Sequence, residues 1–176
     1  MIETFDETGK QNRGLARVRI NARPANRRRS SRKSAIFTIG YEHHSVESLI
    51  ESLNENEIEI LVDVRQNPWS RKVGFSKVRL GDAITAAGIV YLHRPDLGTP
   101  PQIRTIYKSS GSLLEALAEY DRHISRNSDI ILGLAKTSKG KRVCLLCLET
   151  DHNMCHRGII ARKLCEITKW QPVHLT

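Results

Sequence analysis

The sequence predicts an α/β domain: a mainly parallel, five-stranded sheet with helices on both faces. Three observations carry this. Short apolar runs alternate with helical patterns five times between residues 35 and 176, the order that strand–helix–strand units produce. A chain of 176 residues is long enough for one buried core and short for two. No apolar run approaches the roughly 20 residues that cross a bilayer, and the N-terminus lacks the apolar stretch of a secretory signal. A cytoplasmic protein with reduced thiols is therefore expected.

The elements follow in order. "AIFTIG" (Ala35 to Gly40) is the first strand, and Ser45 caps a helix whose Val46, Leu49, Ile50 and Leu53 share one face. "IEILVDVR" is the second strand. Ser76 then opens a helix carrying Leu80, Ala83, Ile84 and Ala87, which Gly88 stops. "IVYLH" is the third strand, followed by "RPDLGTPPQIRTIYKSSG", a long connection of the kind that serves function or mobility. Leu113, Leu117, Tyr120 and Ile124 form a helical stripe, and "DIILGLAK" continues the helical layer after a break near Asn127. "KRVCLLCLE" is the fourth and most apolar strand, a helix runs from about Cys155 to Thr168, and "PVHL" closes the sheet.

Charge divides the chain in two. Of the +9 total, residues 1 to 34 hold +7 and residues 35 to 176 only +2. The core of the first segment, "RVRINARPANRRRSSRKS", has no apolar periodicity and is expected to be a disordered basic arm. It reads as a nucleic-acid-tracking arm, as a solubilising or upstream leader, or as an Arg-rich presequence that carries early acids.

Parallel strands joined by crossover helices bring every strand-to-helix loop to one edge of the sheet, where ligands of such folds bind. Those loops collect His43, His44, Arg65, Arg71, Lys72, His93, Arg94, His152, His156 and Arg157 against Glu42, Asp63, Asp96, Glu149 and Asp151. An anionic small molecule or phosphate is the expected ligand, with Arg65, His156 and Arg157 holding it at a helix start. Asp63 is a candidate base, or a fixed ion-pair partner of Arg65. Glu149 is a candidate acid, base or helix-cap partner.

Cys155 in a first helical turn, beside His156 and Arg157, has the surroundings of a nucleophilic thiolate; alternatively His156 packs with Ile160, Leu164 and Ile167 and anchors the helix. Trp69 could stack a base or sugar. No metal and no cofactor is expected. Cys144 and Cys147 lie three apart in one strand and point to opposite faces, so they cannot share an ion. Neither a Walker-type phosphate loop nor a Gly-rich dinucleotide fingerprint is present.

With Thr38-Ile39-Gly40, Asp63-Val64-Arg65, Pro68, Ser70, Phe75, Tyr91, Leu97-Gly98, Leu146-Cys147, Glu149 and Cys155-His156-Arg157 in place, residues 36 to 175 resemble the family called "domain of unknown function 488". That resemblance implies an α/β fold and a site built from these triplets, and it names no substrate. "ILVDVRQNP" is also similar to the Asp-x-Arg strand end of rhodanese-like sulfurtransferases, with Cys147 in the place of their reactive Cys, although seven residues separate Cys147 from Cys155 here. The functional expectations are a site for a phosphate-bearing ligand (nucleic acid or nucleotide), a non-catalytic nucleic-acid-associated module using the arm, or Cys-dependent sulfur transfer.

Overall fold

The computed structural model describes residues 34–176. The arm expected over 1–34 thus lies, apart from Ser34, outside the described residues. Five strands form one parallel sheet: β1 (Ala35–Gly40), β2 (Ile60–Asp63), β3 (Val90–His93), β4 (Arg142–Cys147) and β5 (Pro172–Leu175). Their spatial order is β3-β2-β4-β1-β5. The predicted fold class is the observed one.

Alternation along the strands builds two cores. Phe37, Ile39, Leu61, Cys144 and Leu146 pack against α1 (Val46–Glu55) and α2 (Lys77–Ala86) through Leu49, Leu53, Leu80 and Ile84. Ile36, Ile60, Val62, Val143, Leu145 and Cys147 face α3 (Pro101–Ser110), α4 (Leu113–Arg126), α5 (Ser128–Ser138) and α6 (His156–Thr168). β1 to β2 to β3 runs one way across the sheet and β3 to β4 to β5 runs back. Crossovers of uniform hand therefore place α1 and α2 on one face and α3 to α6 on the other.

That reversal positions the site. β4 lies between β1 and β2; both neighbours leave toward α1 and α2, while β4 leaves toward α6. The loops diverge and open a crevice at the carboxyl ends of these three strands, the topological switch point of open α/β sheets.

One expectation changes. The long connection after β3 contains a 3-10 turn (Pro95–Leu97) and α3. Pro101 stands at the first position of α3, and Gly111, at φ 69°, ends it in the left-handed region, the Pro-first, Gly-last signature of a helix. Of its ten residues only Ile103 is buried, so no apolar stripe announces it in the sequence. Ser45 caps α1 through its side chain, accepting from Ser48 N at 3.1 Å, whereas Ser76 precedes α2 without a side-chain cap bond. No helix among the described residues is long and apolar enough to cross a membrane.

Candidate functional site

Asp63 ends β2 fully buried. Its oxygens accept from Arg65 Nε at 2.8 Å, Arg65 Nη2 at 2.5 Å, Arg65 N at 3.1 Å and Tyr91 Oη at 2.6 Å. Arg65 also donates through Nη1 to Tyr41 Oη at 3.1 Å and to the Phe75 carbonyl at 3.0 Å. Tyr41 stacks on Phe75 with ring centroids 4.4 Å apart. The triplet is a two-point ion pair at the crevice wall, oriented by two tyrosines. Burial acts against the Arg65 charge, and the Asp63 carboxylate more than offsets it, so the guanidinium stays protonated well above its ordinary range.

Arg157, 1% exposed, reaches back from α6 to the loop after β4. It donates through Nη1 to the Glu149 carbonyl and through Nη2 to the Thr150 carbonyl at 2.8 Å, and no carboxylate pairs with it among the described residues. It clamps the β4–α6 loop. His156 Nε2 lies 3.1 Å from the Val64 carbonyl, which fixes that nitrogen as the N–H donor and leaves Nδ1 as the lone pair. Tyr120 packs edge-on to this imidazole at 5.2 Å and donates its hydroxyl to the Leu97 carbonyl.

His156 Nδ1 faces two thiols, Cys147 Sγ and Cys155 Sγ, each at 3.9 Å. Cys147 Sγ also lies 3.2 Å from Glu149 Oε2. Burial pushes the Cys155 thiol far up, and its bond with Cys147 adds to that, against the lowering influence of His156. Glu149 shifts the other way: burial raises it, and bonds from Cys155, its own backbone N–H and Cys147 bring it below the ordinary carboxylate range. For His156, burial opposes protonation, but contact with Cys155, the Val64 carbonyl and Glu149 leaves its net shift upward. Both sulfurs thus flank one imidazole nitrogen, with the Glu149 carboxylate against Cys147.

This group forms the floor of a cleft of about 390 Å³. Tyr41, Trp69, Tyr107 and Tyr120 give it aromatic walls, Ile103, Leu117 and Leu148 add apolar surface, and Arg65, Arg104 and Lys108 line it as cations. Among the predicted residues, Arg65, Glu149, Cys155 and His156 come together there. Asp63 stands behind Arg65, and Arg157 stands behind the loop. Other expected cations also hold loops: Lys72 donates to the Tyr41 and Glu42 carbonyls, and Arg94 pairs with Asp96 at 2.6 Å.

Cys144 and Cys147 do face opposite cores. The set that sequence reasoning missed is Cys147 with Cys155 and His156, which depends on the loop after β4 folding back. Arg104, Tyr107 and Lys108 were hidden with α3, although Pro101 and Gly111 marked that helix. Tyr41 stands one residue past the end of β1, where no sequence pattern marks it as part of the site.

A family model described as domain of unknown function DUF488 matches residues 45–164. No curated protein and no solved structure matches.

Proposed function

We propose that this chain, which belongs to the DUF488 family, binds a phosphate-bearing ligand with a planar ring, a nucleotide or a nucleic-acid end, in the cleft at the carboxyl edge of its sheet. The observation that supports this reading is the pairing of aromatic walls with two cations on one helix. Arg104 and Lys108 stand one turn apart on α3 and both line the cleft, spaced to share a single phosphate. Trp69 and Tyr107 offer faces on which a base can stack.

The roles differ from the simplest reading of the sequence. Arg65, held by Asp63 and Tyr41, keeps one Nη2 hydrogen without a protein partner among the described residues and can meet a ligand oxygen. His156 and Arg157 act through position: one orients the cleft floor, the other holds the loop that carries Glu149. The acid or base candidate that touches the cleft is Glu149.

A second reading, Cys147-centred thiol chemistry including sulfur transfer, is favoured by the place of Cys147 at the end of the central strand with an imidazole lone pair at 3.9 Å. It differs in outcome: Cys147→Ser would abolish turnover and spare nucleotide affinity.

Titration of the protein with nucleoside monophosphates, their nucleosides and inorganic phosphate, followed by Trp69 fluorescence with Trp69→Phe as the control, tests the main reading. Monophosphates should bind more tightly than nucleosides, and Arg104→Ala should weaken them about ten- to a hundredfold, the value of a charge-assisted contact of roughly 1.5 to 3 kcal/mol. Equal affinity for nucleoside and nucleotide would remove the phosphate from the proposal.

A further inference from the structure

The floor of the cleft holds a feature that ligand binding alone does not use. Cys147 Sγ, Cys155 Sγ and His156 Nδ1 all lie within 4.8 Å of one another. We propose that these three atoms bind one zinc-type divalent metal ion, with its fourth position open to the cleft beside Glu149. The inference goes beyond the proposed function, because the ion would stand at the floor whatever ligand enters.

Distance is the first argument. Around a tetrahedral zinc, with bonds of about 2.3 Å to sulfur and about 2.0 to 2.1 Å to nitrogen, neighbouring donor atoms sit about 3.6 to 3.8 Å apart. The imidazole nitrogen is 3.9 Å from each sulfur. The two sulfurs lie within 4.8 Å of one another, so closing the set needs side-chain shifts of at most about 1 Å.

The second argument is preorganisation. Cys147 is the last residue of β4, Cys155 is the N-cap of α6 and His156 is its first residue; all are buried in rigid elements. The His156 ring is held from behind by the Val64 carbonyl at 3.1 Å. A backbone carbonyl on the far ring nitrogen is the usual support of a metal-bound histidine, since it fixes the tautomer and aims the lone pair.

Donor chemistry chooses the ion. Two thiolates and an imidazole favour zinc and other late first-row metals over magnesium or calcium, which take oxygen donors. On binding, each thiol releases its proton to solvent, so the divalent ion with two thiolates is neutral in the buried site. Structural zinc sites close with four protein ligands, whereas sites with three keep a position for water or substrate. The cleft beside Glu149 Oε2, 3.2 Å from Cys147 Sγ, provides that position.

The sequence pointed away from metal because the close pair Cys144 and Cys147 was the natural candidate. Strand alternation separates that pair, and only the return of the β4–α6 loop supplies Cys155 and His156 in its place.

The test uses the full-length chain, purified reduced and without chelator. Metal content is measured by elemental analysis, and the metal-stripped protein is titrated with cobalt(II) under anaerobic conditions. One equivalent should bind, with intense visible bands of a tetrahedral centre and a near-ultraviolet sulfur-to-cobalt band. Cys147→Ser and Cys155→Ser should each weaken binding at least tenfold and diminish the sulfur band, while Cys165→Ser, on the outer part of α6, should leave both unchanged. Circular dichroism confirms that each variant is folded; should a Ser variant unfold, chelator competition and the sulfur band of the unaltered chain carry the decision. Cobalt binding without a sulfur band, binding unchanged in folded Cys155→Ser, or no binding by the reduced chain would overturn the proposal. So would a Cys147–Cys155 disulfide that persists under reducing conditions. Nucleotide titration of the stripped protein is read separately, so failure of the metal site and failure of the nucleotide reading are distinguishable.

Discussion

At the scale of single residues, the site depends on side chains whose hydrogen-bonding capacity is spent on other protein groups. Asp63 has no exposure and accepts four bonds, so its removal strands the Arg65 charge in the interior. Asp63→Asn keeps the shape and removes the charge, and should destabilise the protein by about 3 to 5 kcal/mol in urea unfolding, the usual cost of leaving a buried ion unpaired. Tyr91→Phe removes one of the four bonds and should cost about 1 kcal/mol. Arg157 gives a different signature. It holds two loop carbonyls from two separate nitrogens, and Arg157→Met keeps the length of the side chain while removing both bonds. Faster amide exchange confined to residues 149–155, with the sheet still protected, is the expected result. Exchange rising evenly across the sheet would instead assign Arg157 to the global core.

At the scale of elements, close approach and packing set the loop geometry. A methyl at Gly40 would collide with the Glu149 carbonyl and the Thr150 backbone, so β1 and the loop after β4 meet only because position 40 has no side chain. Gly40→Ala should destabilise by about 1 to 3 kcal/mol, the range for forced overpacking, and should weaken ligand binding by displacing Glu149. β5 contributes a pH-dependent contact. His174 lies 2.8 Å from Thr38 Oγ1 and stacks on His152 with centroids 3.4 Å apart. Burial lowers its pKa below the ordinary histidine value, and the His152 and Arg157 charges add to this. Because the folded value is depressed, the unfolded chain takes up the proton first as pH falls. The His174 contribution is thus complete above about pH 6.5 and is lost as pH drops through the lowered folded value. Unfolding free energies between pH 7.5 and 5 should decline less in His174→Gln than in the unaltered chain; parallel curves would remove His174 from the account. The elements were legible to different degrees. Strands announced themselves through runs rich in β-branched residues and Leu such as "IEILVDV", and α1 and α4 through apolar stripes. α3 did not, because of its ten residues only Ile103 is buried, and one buried side chain leaves no periodicity to read.

At the scale of the whole molecule, strand order decides what the loops can build. The order β3-β2-β4-β1-β5 was not readable, since alternation of strands and helices is the same for many orders. The shared edge of the loops was readable, because any parallel sheet with crossover helices has one. For this reason the sequence places Arg65, Glu149, Cys155 and His156 at one edge, and they do line one cleft, while the partners each chooses are not readable. Partner choice depends on distances of 3 to 4 Å between residues such as Cys147 and His156, nine positions apart, and composition carries no record of them. At this edge we propose a binding cleft for a phosphate-bearing ligand, with Arg104 and Lys108 at the phosphate and the Cys147, Cys155 and His156 floor beneath. Crystals grown with a saturating nucleoside monophosphate test it most directly. Electron density is expected in the cleft, with phosphate oxygens between the Arg104 guanidinium and the Lys108 ammonium and the ring against Trp69 or Tyr107. A nucleotide that binds in solution yet occupies a different surface of the crystal structure, leaving this cleft to solvent, would contradict it.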